Sequence, residues 1–169
     1  MADSKQVRAP LKHQLTEKQF SIIGKIAVES ALTEVLIEVL ITKLASQKDV
    51  GVTRIMLGSM LTGGKIDILG KLIVLLPFED QSSFKELMND VGHANGQRKL
   101  PIHGVWAQSV EDGIVRANSI KKDKSTPLAA TELGSIWELY KSVNQRFIAM
   151  LMRDTMKVQK TPKHRKSTK

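Results

Sequence analysis

Thr16-Glu-Lys-Gln19 opens the longest helical pattern in the chain, and that pattern constrains the fold more than any other feature. The threonine hydroxyl can accept from the third helical N–H while the glutamine reaches back, so the tetrapeptide is a capping box. The pattern predicts a helix to about Ser46, about thirty residues and longer than most globular helices. Val28, Leu32, Val35, Leu36, Val39 and Leu40 form its apolar face, and its other faces are also fairly apolar. Such a helix is expected at the centre of the fold, covered by neighbours or by a partner chain.

Shorter patterns follow. "VTRIMLGSML" reads as a second helix after Gly51, and Gly63-Gly64 is expected to break it. "KIDILGKLIVLL" reads as a third, stopped by Pro77. Ser83-Phe-Lys-Glu86 is a second capping box, starting a helix with Phe84, Leu87, Met88 and Val91, which Gly92 and Asn95-Gly96 strain. "VWAQSVEDGIVRANSIKK" then places β-favouring residues on both sides of Asp112-Gly113, a pair suited to a two-residue type I′ hairpin turn. After the loop "KKDKSTP", Thr131 is expected to cap a last helix from Glu132 to about Lys157, with Leu133, Ile136, Trp137, Tyr140, Val143, Phe147, Met150 and Leu151 at helical spacings. The predicted class is mainly α, an up-and-down helical bundle over residues 16–157 with a small β-hairpin at about 105–120. Residues 1–15 and 158–169 are expected to be disordered basic segments.

The net charge of +9 suggests a polyanionic partner, but its placement weakens that inference. Six cations and no acid follow Met156, and Lys5, Arg8 and Lys12 outweigh Asp3, which leaves the body near neutrality. The absence of cysteine excludes disulfides and thiolate metal sites and is compatible with a reducing compartment. The first fifteen residues have no apolar signal region, and Glu29, Glu34, Glu38 and Lys43 interrupt the only long apolar stretch. A soluble cytoplasmic protein, without a membrane association, is expected. "SMLTGGK" lacks the first glycine and the final Ser or Thr of a phosphate loop, although Lys65 could serve another site. His13, His93, His103 and His164 show no metal-ligand spacing, so no metal or cofactor is expected. Glu34 and Glu38 share one helix face, where they are either solvated or paired, and either could orient a basic residue from a neighbouring element.

"GQRKLPIHGVW" (residues 96–106) then sets Arg98 five positions before His103. Spacing alone is cheap: Arg8 and His13 repeat it in the basic N-terminal segment. Context separates the two, because the second copy follows an amphipathic helix and leads into Gly104 and Trp106. On an unbroken helix, five residues leave the side chains about 140° apart. Pro101 clashes with a regular helix, so the chain there should kink or start afresh, which could bring guanidinium and imidazole to one side. Alternatively, Arg98 reaches solvent and His103 caps a helix end.

The same stretch resembles the Arg-x4–6-His signature of HEPN domains, often Arg-Asn-x-x-x-His-Gly with a tryptophan close behind. The long first helix, a "GKIDILGKLI" segment similar to the family's second-helix pattern, and the last long helix fall in the expected order. The resemblance covers residues 16–156, and this chain departs from it at Lys99, where Asn or Asp is usual, and at Pro101. It implies a metal-independent endoribonuclease acting as a homodimer with two facing motifs, often a toxin with a cognate antitoxin or a phage-defence effector. His103 would move protons between the 2′-OH and the leaving oxygen, and Arg98 would stabilise the phosphorane. Lys99, Asn95 and Lys65 would bind substrate RNA. The alternative is a non-catalytic dimerisation or nucleotide-binding module of the same fold. A third reading is a helical scaffold whose basic tail alone contacts RNA.

Overall fold

A computed structural model describes residues 15–45, 50–75, 80–108, 113–118 and 128–152. The capping box forms as the sequence predicts: Gln19 N donates to Thr16 Oγ1 at 3.3 Å, and Thr16 N donates to Gln19 Oε1 at 2.8 Å. It opens α1, Glu17–Leu44. Then come α2 (Val50–Gly58), α3 (Thr62–Leu75), α4 (Gln81–Gln97) and α5 (Lys99–His103). Strands β1 (Val105–Gln108), β2 (Val115–Asn118) and β3 (Leu128–Ala129) form one antiparallel sheet, followed by a 3-10 turn and α6 (Leu133–Met152). The protein is mainly α, as expected, with a small sheet before the last helix.

The four longer helices α1, α3, α4 and α6 close a ring in which α1 touches α3 and α6, and α4 touches the same two. Leu36, Ile37, Leu40 and Ile41 meet Leu69, Ile73, Leu87, Val91, Val143 and Phe147 inside it. A second cluster, with Ile26, Ala94, Leu133, Ile136 and Tyr140, joins the bundle to Trp106 and Leu128 of the sheet. Leu15, expected to fall in a disordered segment, is buried in this second cluster. Buried Asn144 ties α6 to α1 by donating to Glu29 O at 2.9 Å and Glu29 Oε2 at 2.7 Å. No helix among the described residues is long and apolar enough to cross a membrane.

Several local expectations are corrected. The core face of α1 matches the predicted one only in part: Leu36 and Leu40 are buried as expected, together with Ile26, Ser30, Thr33, Ile37, Ile41 and Leu44. Val28, Val35 and Val39 stand on the opposite side at 69%, 54% and 45% exposure, with Leu32 beside them. Helix α3 begins at Thr62, so Gly63-Gly64 forms its first turn instead of a break. The cost of glycine in a helix, about 1 kcal/mol each, is borne by a segment that then packs Leu69 and Ile73 into the core. Asp80, not Ser83, caps α4, its Oδ1 accepting from Ser83 N at 3.3 Å. The helix continues through Gly92 and Asn95-Gly96 because Phe84, Leu87, Val91 and Ala94 bury one stripe.

The hairpin pairs Gln108 with Val115, whereas a two-residue turn at Asp112-Gly113 would oppose Val115 to Val110. Gly113 has φ 69°, the left-handed conformation that suits glycine. Glu132 Oε2 accepts from Ala129 N at 2.8 Å, so Glu132 caps the turn into α6 in place of Thr131. The Pro77 stop, Asp112, the "KKDKSTP" loop, the end of the last helix near Lys157, and both basic tails lie outside the described residues.

Candidate functional site

Helix α4 ends at Gln97 and α5 begins at Lys99, with Arg98 as the cap between them. Arg98 keeps right-handed helical dihedrals, its N–H donates to Ala94 O at 3.0 Å, and its carbonyl accepts from Ile102 N at 3.2 Å. Pro101 occupies the third position of α5, where a missing N–H leaves no helical bond unmade. The new start accommodates the proline, and Arg98, at the end of α4, follows the buried register of Phe84, Leu87, Val91 and Ala94. Its guanidinium points inward. Nη1 donates to Ser30 Oγ at 3.3 Å and Nη2 donates to Thr62 Oγ1 at 3.1 Å. These bonds use only part of the five-donor fork, leaving Nε–H and the remaining Nη protons uncommitted among the described residues.

Thr62 links Arg98 to a set of charges. Its hydroxyl donates to Glu34 Oε2 at 2.9 Å, so its oxygen is left to accept from Arg98. Lys65, one turn of α3 further on, donates to Glu34 Oε1 and to Glu38 Oε1, the latter at 2.6 Å. Lys65 is only 3% exposed. Burial alone would raise the pKa of Glu34, but hydrogen bonds from Lys65 and Thr62 and the charges of Lys65 and Arg98 outweigh it and hold the carboxyl below its ordinary range. Burial would likewise lower Lys65, yet the two carboxylates raise it. Burial also pushes the Tyr140 hydroxyl up to about 12 against the opposing charge of Arg98, so Tyr140 stays neutral at physiological pH. Two carboxylates and two cations thus share one cluster.

The other motif residues face elsewhere. Lys99 and His103, four residues apart on α5, share one face, while Asn95 is half-buried on α4 before the break. Lys99 and His103 are exposed, and His103 makes no side-chain hydrogen bond or ion pair among the described residues. The imidazole lies on α5, beyond the break at Arg98. The helix starts afresh at Arg98 as expected, but the guanidinium turns to Ser30 and Thr62 and makes no hydrogen bond to His103 among the described residues. The structure brings Arg98 and Lys65 into one cluster and leaves Lys99 and His103 exposed on α5 and Asn95 half-buried on α4, with no hydrogen bond joining the two sets among the described residues.

The glycine and tryptophan of the motif have packing roles. Gly104 passes so close to the sheet that a Cβ there would lie 2.4 Å from Leu100 O and 3.2 Å from both Ala117 Cβ and Asn118 O. Trp106 Nε1 donates to Pro101 O at 3.3 Å, fixing β1 to the short helix. Ser30 and Thr62 leave no signal in the sequence, since single hydroxyls carry no pattern. The shared face of Glu34 and Glu38 is the signal that the sequence does hold, and both pair with a base from a neighbouring helix. Among the described residues no cluster of His, Asp and Glu is placed to hold a metal ion. No family model matches the chain, and no curated protein or solved structure matches it either.

Proposed function

We propose that the protein is a metal-independent endoribonuclease of HEPN type, with a toxin or phage-defence role. The observation that carries this reading is Arg98, held by two neutral hydroxyls with donors to spare, beside a stripe that offers Lys99 and His103 to solvent. RNA brings its own nucleophile, the 2′-OH, so the protein has to supply proton transfer and charge stabilisation. In this reading His103 accepts the 2′-OH proton or protonates the leaving 5′-oxygen. Arg98 donates to the phosphorane, where charge peaks in the transition state. Lys99 and Asn95 hold neighbouring phosphates and sugars. The products are a 2′,3′-cyclic phosphate and a 5′-hydroxyl.

Within one chain the Arg98 guanidinium is turned to Ser30 and Thr62 while His103 is exposed, and this reading has two such motifs face each other in a homodimer. The outer stripe of α1 supports that assembly: Val28, Leu32, Val35 and Val39 follow four-three-four spacing, as self-pairing helices do. If the role is that of a toxin, a cognate antitoxin is the partner this reading adds.

The test is cleavage of a 5′-labelled mixed-sequence RNA in EDTA by the full chain. Arg98→Ala and His103→Ala should each lose on the order of a hundredfold in rate. A requirement for divalent metal, or variants as active as the parent, would overturn the reading. One observation favours a second reading: the exposed His103 has no partner to orient it among the described residues. A non-catalytic nucleotide-binding module would bind nucleotides through Arg98 without cleaving RNA, and calorimetric binding that disappears in Arg98→Ala would identify it.

A further inference from the structure

Lys65 is a buried cation whose role the proposed chemistry does not use directly. It has three ammonium donors and meets carboxylates from two successive turns of α1, Glu34 and Glu38. Thr62 takes the second oxygen of Glu34. Both oxygens of the carboxylate nearest Arg98 are therefore occupied by residues of α3. A free Glu34 would be the preferred partner of a guanidinium, because carboxylate and fork match in a bidentate, charge-assisted pair. The guanidinium instead rests on Ser30 and Thr62 at 3.3 and 3.1 Å, neutral contacts of ordinary strength.

We infer that Lys65 is a positioning residue: by occupying Glu34 and Glu38 it keeps Arg98 off the carboxylate and leaves the guanidinium donors available to a phosphate. This rests on the ribonuclease reading for its functional consequence, though not for the geometry. Lys65 thus acts on substrate through Arg98, in place of the direct phosphate contact that its sequence position suggested. The charges agree. Lys65 cancels one of the two carboxylates that face Arg98, so the guanidinium meets one net negative charge, and removing Lys65 doubles it.

Lys65→Met alone strands two acids against one guanidinium and risks the fold. Two double variants avoid this. Lys65→Met/Glu38→Gln leaves Glu34 as the only carboxylate, and Lys65→Met/Glu34→Gln leaves Glu38, one turn further along α1. The two have the same charge and the same pair of substitution types, and differ only in which acid remains near Arg98.

In the full chain, the variant retaining Glu34 should lose tenfold or more in kcat on RNA with KM little changed, since Arg98 bonds the phosphorane more strongly than the ground-state phosphate. The variant retaining Glu38 should recover most of the parent rate. Nitrogen-15 spectra of the Arg98 guanidinium provide a second readout that needs no RNA. Rotation about the Nε–Cζ bond should slow when Glu34 is left unpaired and remain as in the parent when Glu38 is left. Equal kcat and equal rotation in the two doubles would overturn the inference and make Lys65 a purely structural cation. If Arg98→Ala itself cleaves RNA at the parent rate, the ribonuclease reading fails instead, and the guanidinium spectra still decide what Lys65 does. Should either double fail to fold, Glu34→Gln against Glu38→Gln in the Lys65→Arg background repeats the comparison with the cation kept. There the capture of Arg98 should occur in neither, and its occurrence would overturn the inference.

Discussion

Gly104→Ala isolates the part of the His-Gly pair that concerns packing alone. The new Cβ would sit 2.4 Å from Leu100 O, a carbonyl that also accepts Gly104 N–H at 2.8 Å to close α5. Relief needs a shift of roughly half an ångström or more to reach a contact that side chains tolerate. Ala117 Cβ and Asn118 O, each 3.2 Å away on β2, block the opposite direction. The methyl is therefore pinned between a helix end and a strand, neither of which can yield without disturbing the other. Overpacking of this kind costs about 1–3 kcal/mol, and the backbone nature of the closest atom places Gly104→Ala toward the upper part of that range. For a chain of this size the loss corresponds to a fall in Tm of about 4–12 °C.

Urea unfolding followed by circular dichroism should show a lower midpoint with an unchanged slope. Trp106 fluorescence, read in a Trp137→Phe background, should report the strained junction. A stability change below about 0.5 kcal/mol, within the usual range for surface substitutions, would refute the packing argument and return Gly104 to the motif's chemistry.

The ion cluster makes stability depend on pH at both ends. Glu34 is lowered in the folded protein by its partners, so its contribution is complete above its ordinary value of 4.5 and disappears as pH falls through the folded pKa. Lys65 is raised, so its contribution is complete below 10.5 and is lost as pH climbs through the folded value. Denaturant midpoints of the parent and Glu34→Gln should accordingly differ at neutral pH and converge in acid; a constant gap down to pH 2 would refute the assignment. The proposed homodimer makes a separate demand on α1. Val35→Glu, on the face opposite the core, should leave the helical spectrum intact and convert a dimer into a monomer by sedimentation, whereas a parent already monomeric at tens of micromolar would remove the basis for a composite site.

What the sequence revealed about α1, and what it concealed, have one physical cause. The capping box at Thr16 is local, so the start of the helix could be read to the residue. Its buried face could not, because α1 is apolar nearly all round and hydrophobic spacing then has no preferred direction. Val28, Leu32, Val35 and Val39 formed the cleaner stripe, yet the structure buries a face carrying Ser30 and Thr33. Those hydroxyls tolerate burial because they bond back along the helix, Ser30 Oγ to Ala27 O and Thr33 Oγ1 to Glu29 O, both at 2.9 Å. A pattern of apolar residues scores them as solvent-facing. Local rules also failed at Asp112-Gly113 and Thr131, where register and a glutamate reaching back to Ala129 decided the geometry.

The candidate site divides in the same way. Arg98 and His103 were visible because they fall in a recognisable string, and Glu34 and Glu38 because they are four residues apart on one helix. Their meeting with Lys65 and Thr62 was not visible, since it depends on how the first turn of α3 lies across the middle of α1. The glycines that seemed to end a helix there in fact begin one, and that change of phase turns Lys65 from a surface cation into a buried one. Once Lys65 is inside, the electrostatic argument reverses. A lysine read as added attraction for phosphate is instead engaged by Glu34 and Glu38, and under the proposed reading it reaches an anion only through Arg98.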